Sequence, residues 1–526
     1  MKSTHRLSAI DINPEFLKAL TLMEKTDRHL FITGRAGTGK STLLNYFRRT
    51  TEKEVAVLAP TGVAALNVEG QTIHSFFNFK PNITPEKIKK VNGTDGRLYK
   101  EFDTIIIDEV SMVRADLLDC IEKFLRLNGP SRNKWFGGVQ MVFIGDLYQL
   151  PPVVTTAEKE IFSHRYGTPY FFSGQVFREE TFTMEFVELE KVYRQTEPDF
   201  IAMLNAIRNR TCTDQDIEKL NDRHRPGYMP PDNEFCITLT STNDLAAERN
   251  HEKLDELPGE IMEFGGTLSG GFDRSSLPAE ESLKLKKGAQ VMLVNNDKFG
   301  RWVNGSLGIV AGIGEDDDGE RAVLVELQDG SMVPVIPYTW EIFEYLYDRS
   351  SKQIATRKVG SFTQYPLRLA WAVTIHKSQG KTFDNVIIDM GRGAFAHGQV
   401  YVALSRCTHF DGIVLTKRIA KNHIFMDWRV VNFLTGLKYR KAEETTGVDK
   451  KREIIDDAIR RGIDLEIIYL KPDDTKSTRT IQPIAVEQME YKGKTFQGLR
   501  AYCRLRGDQR TFRIERILEM SYSTGK

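Results

Sequence analysis

The stretch FITGRAGTGKS, residues 31–41, constrains the fold of this chain more than any other. It fits G-x-x-x-x-G-K-[ST] through Gly34, Gly39, Lys40 and Ser41. The apolar run HLFIT before it reads as a strand buried in a parallel sheet, and TLLNYFRR after it reads as a helix. Glycines between a strand and a helix let backbone N–H groups converge on a phosphate, and the helix N-terminus adds partial positive charge. Lys40 is placed to reach the β- and γ-phosphates, Ser41 to ligate magnesium, and Gly37 and Thr42 to complete the cradle. The expected cofactors are ATP and Mg²⁺.

The pattern repeats along the chain. EVAVLAP (54–60), FDTIIIDE (102–109) and VQMVFIGD (139–146) are buried-strand runs ending in small or polar residues, with RADLLDCIEKFLRL (114–127) as a helix between them. A parallel sheet with helices on both faces is expected, its functional residues at the carboxyl ends of the strands. A second cycle is read from VELEKVYRQ (187–195) through EFCITLTSTND, resuming with LRLAWAVTIHKSQG, FDNVIIDM and GQVYVALSRC. Between its halves, residues 288–337 break into short strands separated by Gly, Asn and Asp turns, an all-β insertion. With 526 residues the chain exceeds one core. The expected division is 1–187 for the first α/β domain, 188–287 and 359–437 for the second, and 288–358 for the insertion. A polar linker is expected over 438–453 and a small C-terminal β domain over 454–526.

Composition excludes several classes. The chain is 40% hydrophobic and 28% charged with no membrane-length apolar run, and its N-terminus has no secretory pattern, so a cytoplasmic protein with no membrane partner is expected. Five isolated cysteines fit neither a zinc site nor a disulfide framework. A net charge of +1 averages 73 basic and 72 acidic residues, yet residues 491–516 carry eight Lys or Arg against two acids, interleaved with aromatics. That is either a nucleic-acid surface or a solvated basic strand face.

IIIDE sets Asp108 and Glu109 just past a buried strand, Asp108 to hold magnesium and Glu109 to take a proton from an attacking water. FIGDLYQLPPV ends another strand with Asp146 and Gln149, whose amide can sense the γ-phosphate, while Pro151 and Pro152 stiffen the segment leaving it. Developing charge on that phosphate calls for cations, and Arg194 in VYRQ and Arg406 in VALSRC, both placed in the second α/β unit, are the candidates.

With these residues the sequence resembles the Pif1-like helicases, a superfamily 1 group that moves 5′ to 3′ on DNA. GRAGTGKS, APTGVAALNVEGQTIHSFF, IIIDEVSMV, FIGDLYQLPPV, VYRQ, LRLAWAVTIHKSQGKTFDNV and GQVYVALSRC carry the resemblance, from about residue 30 to residue 415. It implies two RecA-like motor domains with an SH3-like insertion in the second. It also implies Gly380 in the nucleotide cleft, Arg194 and Arg406 as paired arginines, and a strand-separating element near residues 78–98. Members usually carry a glutamine upstream of the cradle that reads adenine; residues 1–70 contain none, and Asn13, Pro14, Glu15 and Phe16 occupy its neighbourhood.

Two segments offer contacts to a polynucleotide. Thr61, Gly62, Asn67, His74, Ser75, Phe76 and Phe77 combine phosphate-sized donors with rings that could stack on bases. Thr374, His376, Lys377 and Ser378 form a second set whose end is expected to abut the nucleotide cleft through Gln379 and Gly380, and Pro151 is grouped with the DNA-contacting residues. The C-terminal region resembles a WYL-type domain through Tyr469, Arg479, Pro483, Tyr502, Cys503, Arg510, Phe512, Arg513 and Arg516, with Arg479, Arg510 and Arg513 expected on single-stranded DNA and Cys503 as a small buried hydrophobe. The expected function is an ATP-dependent 5′–3′ DNA helicase, a monomer acting on single-stranded, forked or G-quadruplex DNA, with RNA–DNA hybrids as further partners and a bacterial, nucleoid-associated location. A nucleotide-switched DNA-binding regulator and an RNA helicase are the competing readings.

Overall fold

The computed structural model describes residues 11–523 apart from 81–82, 93–94, 232–233, 273, 275–276, 317, 349–352, 392, 394–395 and 492. Its contacts divide the chain into a larger unit, running through Ile207 and over Cys212–Phe425, and a smaller one of Arg208–Thr211 and Met426–Lys526.

The larger unit is organised by two parallel sheets. The first has six strands in the order Gln71–Thr72, Val55–Ala59, Thr104–Ile107, Gln140–Ile144, Leu30–Gly34 and Glu185–Leu189. All its pairings are parallel. Leu30, Phe31 and Ile32 are wholly buried, as the unbroken apolar run requires of a strand covered on both faces. Helices Pro14–Lys25 and Lys40–Thr50 pack Phe16, Met23, Leu43, Leu44 and Phe47 into the same core. Because Thr104–Ile107, Gln140–Ile144 and Leu30–Gly34 are neighbours, the loops leaving their carboxyl ends must meet.

The edge strand Glu185–Leu189 corrects the sequence-based division at residue 187. It pairs with Leu30–Gly34, so VELEKVYRQ leaves the first sheet and does not begin the second. A period-two run says that a strand forms but not which sheet accepts it. Here the choice is fixed by remote partners, the His29 carbonyl accepting from the Glu185 amide at 2.8 Å and Arg28 pairing with the Glu185 carboxylate.

The second sheet has four parallel strands, ordered Ala372–Thr374, Ile237–Thr240, Val386–Asp389 and Ile413–Leu415. The all-β insertion is wider than expected. Met332–Val335, Arg321–Leu327, Leu307–Glu315, Gln290–Leu293 and Leu367–Leu369 form one antiparallel sheet around Val291, Val310, Val323, Val325 and Leu367. A long hairpin, Tyr338–Asp348 with Gln353–Gln364, pairs with Thr267–Gly270. The Leu367–Leu369 part of LRLAWAVT therefore belongs to the insertion, and only Ala372–Thr374 to the parallel sheet. Of the expected strand-separating element, residues 81–82 and 93–94 lie outside the described residues; the rest includes a short turn of helix at Pro85–Lys87 and the helix Asp95–Glu101.

In the smaller unit the expected polar linker 438–453 is helical. Helix Trp428–Thr445, capped by the Asp427 side chain, buries Val430, Val431, Leu434, Leu437, Lys438 and Ala442 along one face. After a break at Gly447, helix Val448–Arg461 buries Lys451, Ile455 and Ala458. Two of these inward positions are lysines, which is why the segment reads as solvated. The Lys438 ammonium donates to the Asp474 carboxylate at 2.8 Å, both nearly sealed from solvent. The helices pack on a five-stranded antiparallel sheet, Asp508–Arg513, Lys494–Cys503, Lys476–Tyr491, Leu465–Leu470 and Ile517–Tyr522. All five cysteines of the chain are buried and free, Cys503 in this core.

Lys438→Ala leaves the buried Asp474 carboxylate without its ammonium and should destabilise the smaller unit by about 3–5 kcal/mol. Hydrogen exchange should show early loss of amide protection over Leu465–Leu470 and Lys476–Tyr491 with the larger unit unaffected.

Candidate nucleotide site and polynucleotide contacts

The phosphate loop takes its shape from glycines that no other residue can replace. Gly37 and Gly39 lie at φ +78° and +86°, and Gly39 caps helix Lys40–Thr50 in the left-handed region. A Cβ on Gly34 would fall 2.5 Å from Thr38 Oγ1, and one on Gly37 would fall 2.5 Å from Arg194 Cβ. Lys40 Nζ donates to the carbonyls of Gly34 at 2.7 Å and Arg35 at 3.0 Å.

The neighbouring strand ends bring the acids. Asp108 follows Ile107, and Glu109 takes φ +50°, ψ +42°, a left-handed conformation that costs a non-glycine residue about 1–2 kcal/mol. Burial, and next the Asp108 carboxylate, push Glu109 up to about 7. Burial also raises Asp108 and lowers Lys40, with Asp146, Glu109 and Asp108 opposing the shift on the lysine. Gln149 sits buried beside Asp146, its amide Nε2 3.5 Å from Oδ2.

From the second sheet come the other walls. Arg406 is 1% exposed; burial, and next Arg194, lower it to about 9. It donates to the Val402 carbonyl at 3.0 Å, Ser405 Oγ at 2.9 Å, and the carbonyls of Lys381 and Ser378 at 3.3 and 3.4 Å. Arg194 departs from its expected placement: it follows the first sheet's edge strand and reaches the Ser405 carbonyl at 3.2 Å. Gln195 donates to the carbonyls of Ser405 and Cys407, and the Tyr401 hydroxyl accepts from the Ala36 amide at 3.0 Å. A cleft of about 640 Å³ results, lined by Gly37, Gly39, Lys40, Ser41, Thr42, Glu109, Gln149, Arg194, Gly380 and Arg406 among others.

Sequence reasoning missed Asp11, Tyr193, Thr382 and Tyr401; Asp11, Tyr193 and Thr382 line the cleft, as does Phe16, one of the residues in the neighbourhood of the absent glutamine. Asn13 caps helix Pro14–Lys25 and donates to the Tyr193 hydroxyl at 3.2 Å, which donates to Asp11 at 3.1 Å. Gln379 lies in HKSQG, the segment expected to abut the cleft. Its Nε2 donates to Glu109 Oε2 at 2.8 Å and Gln149 Oε1 at 3.2 Å.

The expected polynucleotide contacts divide. Thr61 caps the helix Gly62–Asn67, leaving Gly62 half-buried at its start and Asn67 exposed, its Oδ1 accepting from Asn304 at 3.1 Å. His74, Pro151 and His376 are half-buried and Lys377 exposed; burial lowers the pKa of both histidines. Phe76 and Phe77 are corrections: they are 5% and 2% exposed and pack with Phe79, Tyr99 and Phe124, so no ring face is left for a base. Ser378 is wholly buried, its hydroxyl donating to the Ile375 carbonyl, and Thr374 Oγ1 accepts from the Lys377 amide. These two shape the loop from inside and do not face a strand. Of the three arginines expected on DNA, Arg510 is exposed and paired with Asp508. Arg479 is 8% exposed, committed to Ser477 Oγ and Cys503 Sγ; Arg513 lies over the Phe496 ring at 4.0 Å and pairs with Glu515.

A glycine cradle, the strand-end acid Glu109 and an arginine from the second α/β unit, all on one cleft, define a P-loop nucleotide-binding protein of two RecA-like halves. Comparison with known proteins narrows this class. The PIF1-like helicase family matches residues 15–218, the UvrD-like helicase C-terminal domain 369–409 and the WYL domain 451–521. The ATP-dependent DNA helicase PIF1 of Homo sapiens is 35% identical over 398 residues, 73% of this chain and 57% of that protein. The ATP-dependent DNA helicase Pif1 of Bdellovibrio bacteriovorus is 31% identical over 436 residues, 81% of this chain and 92% of that protein. Pif1 from Bacteroides sp in complex with ADP-AlF4, 37% identical, covers 82% of this chain and 97% of its own with a TM-score of 0.73. The same protein bound to ssDNA, at 81% and 96% coverage and again 37% identical, gives 0.59. The chain belongs to the PIF1-like helicase family. It spans a little over half the length of the human relative.

Gly37→Ala forces a Cβ against Arg194 at a φ that disfavours it. Binding of an adenine nucleotide should weaken by about tenfold, on the order of 1.4 kcal/mol, read by isothermal titration beside a wild-type control.

Proposed function

We propose that the chain is an ATP-hydrolysing helicase that moves 5′ to 3′ on single-stranded DNA and separates duplex ahead of it. The observation that carries this reading is the shared cleft: Lys40, Glu109 and Gln149 come from the first sheet, and Arg406 and Gly380 from the second. Nucleotide chemistry there necessarily acts on both halves.

In this reading the glycine loop and Lys40 hold the phosphates. Ser41 and Asp108 offer hydroxyl and carboxylate oxygens, the hard donors that a magnesium ion takes while keeping several waters. Held there, the ion would supply charge neutralisation to the phosphates. Glu109 takes the proton of the attacking water, Gln149 orients it, and Arg194 and Arg406 offset the charge that develops as the γ-phosphoryl departs.

Motion results if the halves close on ATP and part after hydrolysis. Thr61, Gly62, Asn67, His74 and Pro151 would grip one stretch of strand, and His376 and Lys377 the next. Each turnover advances the grip, and parting one base-pair step costs on the order of 1–2 kcal/mol. Solved relatives support this reading: Bacteroides Pif1 has been solved on ssDNA, and a 36% identical structure concerns unwinding at forked dsDNA by two coordinating Pif1 helicases. This chain matches the unliganded and ADP-AlF4 forms of Bacteroides Pif1 alike, at TM-scores of 0.72 and 0.73, and its two ssDNA-bound forms less well, at 0.59, a contrast that follows bound DNA. Magnesium, a monomeric state, action on G-quadruplexes or RNA–DNA hybrids, and a nucleoid-associated cytoplasmic location belong to this reading. Among the described residues no helix is long and apolar enough to cross a membrane.

Partial duplexes with a single 5′ or 3′ tail test it directly. ATP should release the strand only from the 5′-tailed substrate, and Lys40→Ala should abolish release; equal unwinding of both, or none with wild type, would sink the reading. Comparing ssDNA with RNA as the activator of hydrolysis separates a DNA helicase from an RNA helicase.

A further inference from the structure

The groups that act on the attacking water are occupied by a side chain from the other half of the cleft. Gln379 donates both hydrogens of its amide, one to the Glu109 carboxylate and one to the Gln149 carbonyl. With Gln149 Nε2 turned to Asp146, both ends of the Gln149 amide are spent on protein partners, and one oxygen of the Glu109 carboxylate, Oε2, is taken by Gln379. We propose that Gln379 is a positioning residue: a clasp that holds Glu109 and Gln149 out of use until a polynucleotide draws its loop away. The inference rests on the helicase reading above and adds how hydrolysis is kept low off DNA.

The loop is built for such a role. Gly380, next to the clasp, has φ +81° and no atom within 4 Å of where a Cβ would stand, so the chain can turn there. Arg406 donates to the carbonyls of Ser378 and Lys381, gripping the loop on both sides of Gln379. Its outer end carries the half-buried His376 and the exposed Lys377.

A second tether leaves the same loop. Lys381 Nζ donates to Asn304 Oδ1 at 2.6 Å, and Asn304 Nδ2 donates to Asn67 Oδ1 at 3.1 Å, at the end of the helix Gly62–Asn67. Residues 376–381 thus touch the cleft, the β insertion and the first half at once. A strand laid between Asn67 and Lys377 competes with the Asn67–Asn304–Lys381 chain, and loss of that chain loosens Gln379. The clasp is neutral, and when it opens Glu109 loses one hydrogen bond but keeps the positive charges of Lys40 and Arg406 nearby.

The test is steady-state ATP hydrolysis by the full chain, with and without saturating oligo-dT. Gln379→Ala, and Gln379→Leu as a variant of similar bulk, should raise DNA-free kcat by about tenfold, the weight of one hydrogen bond to a charged group. KM for ATP and the DNA-stimulated kcat should stay within about twofold, so the stimulation ratio collapses. Asn304→Ala, which leaves the cleft untouched, should raise DNA-free kcat in the same direction by a smaller factor. An unchanged or lower DNA-free kcat in the Gln379 variants, with wild type still stimulated, overturns the clasp alone. Wild type that oligo-dT does not stimulate overturns the helicase reading as well.

Discussion

The rest of the site depends on charges that burial would otherwise suppress. Lys40, Arg194 and Arg406 face Asp108, Glu109 and Asp146, three cations against three carboxylates. Burial lowers Lys40, Arg194 and Arg406 and raises Asp108 and Glu109; nearby carboxylates oppose the shift on Lys40 and Arg406, and Lys40 opposes it on Asp108 and Glu109. A triphosphate entering such a cleft would add negative charge, and in the proposed reading that charge would draw the two arginines inward.

What joins the halves across that cleft is polar and sparse. Arg194 and Gln195 hold the Ser405 and Cys407 carbonyls, Tyr401 holds the Ala36 amide, and Gln379 holds Glu109 and Gln149. The side-chain bonds can each be exchanged for a bond to phosphate or water at small net cost, unlike a packed apolar seam. By contrast, close packing fixes one point: a Cβ on Gly398 would lie 2.3 Å from the Tyr148 carbonyl, so helix Gln399–Leu404 abuts the Gln149 segment directly. The combination of one tight point and several exchangeable ones is the mechanical form of a hinge.

The sequence is legible where chemistry is local and opaque where it depends on remote partners. The phosphate loop, Asp108, Glu109 and Gln149 are set by spacing within a few residues of a buried strand; the structure brings the loop, Glu109 and Gln149 to one cleft with Arg406, with Asp108 acting on Glu109 from beside it. Glu185–Leu189 reads as part of the wrong sheet because its pairing is decided by Leu30–Gly34, far back in the chain, and Arg194 moves with it. Phe76 and Phe77 look like stacking rings because composition cannot tell an exposed ring from a core ring. Lys438, Lys451 and Arg479 are buried cations that make a packed region read as a linker or a basic surface. Gln379 lies in the HKSQG segment that the sequence places at the cleft, but its bond to Glu109 from across the cleft depends on the fold and is not legible there.

The outer wall of the cleft shows the same division between local and remote effects. Phe16 cannot supply the amide that a glutamine would, and it is 4% exposed, edge-on to Tyr46 in the first sheet's core. The polar atoms left near it, on Asp11, Asn13 and Tyr193, bond to one another, with Lys191 closing on Asp11. Such a wall offers a base packing area beside Tyr193 more than a matched set of donors and acceptors. In the proposed reading, grip on the nucleotide would fall chiefly to the phosphate end, where Lys40, the glycine loop and the two arginines line the cleft, and that is the end hydrolysis would alter.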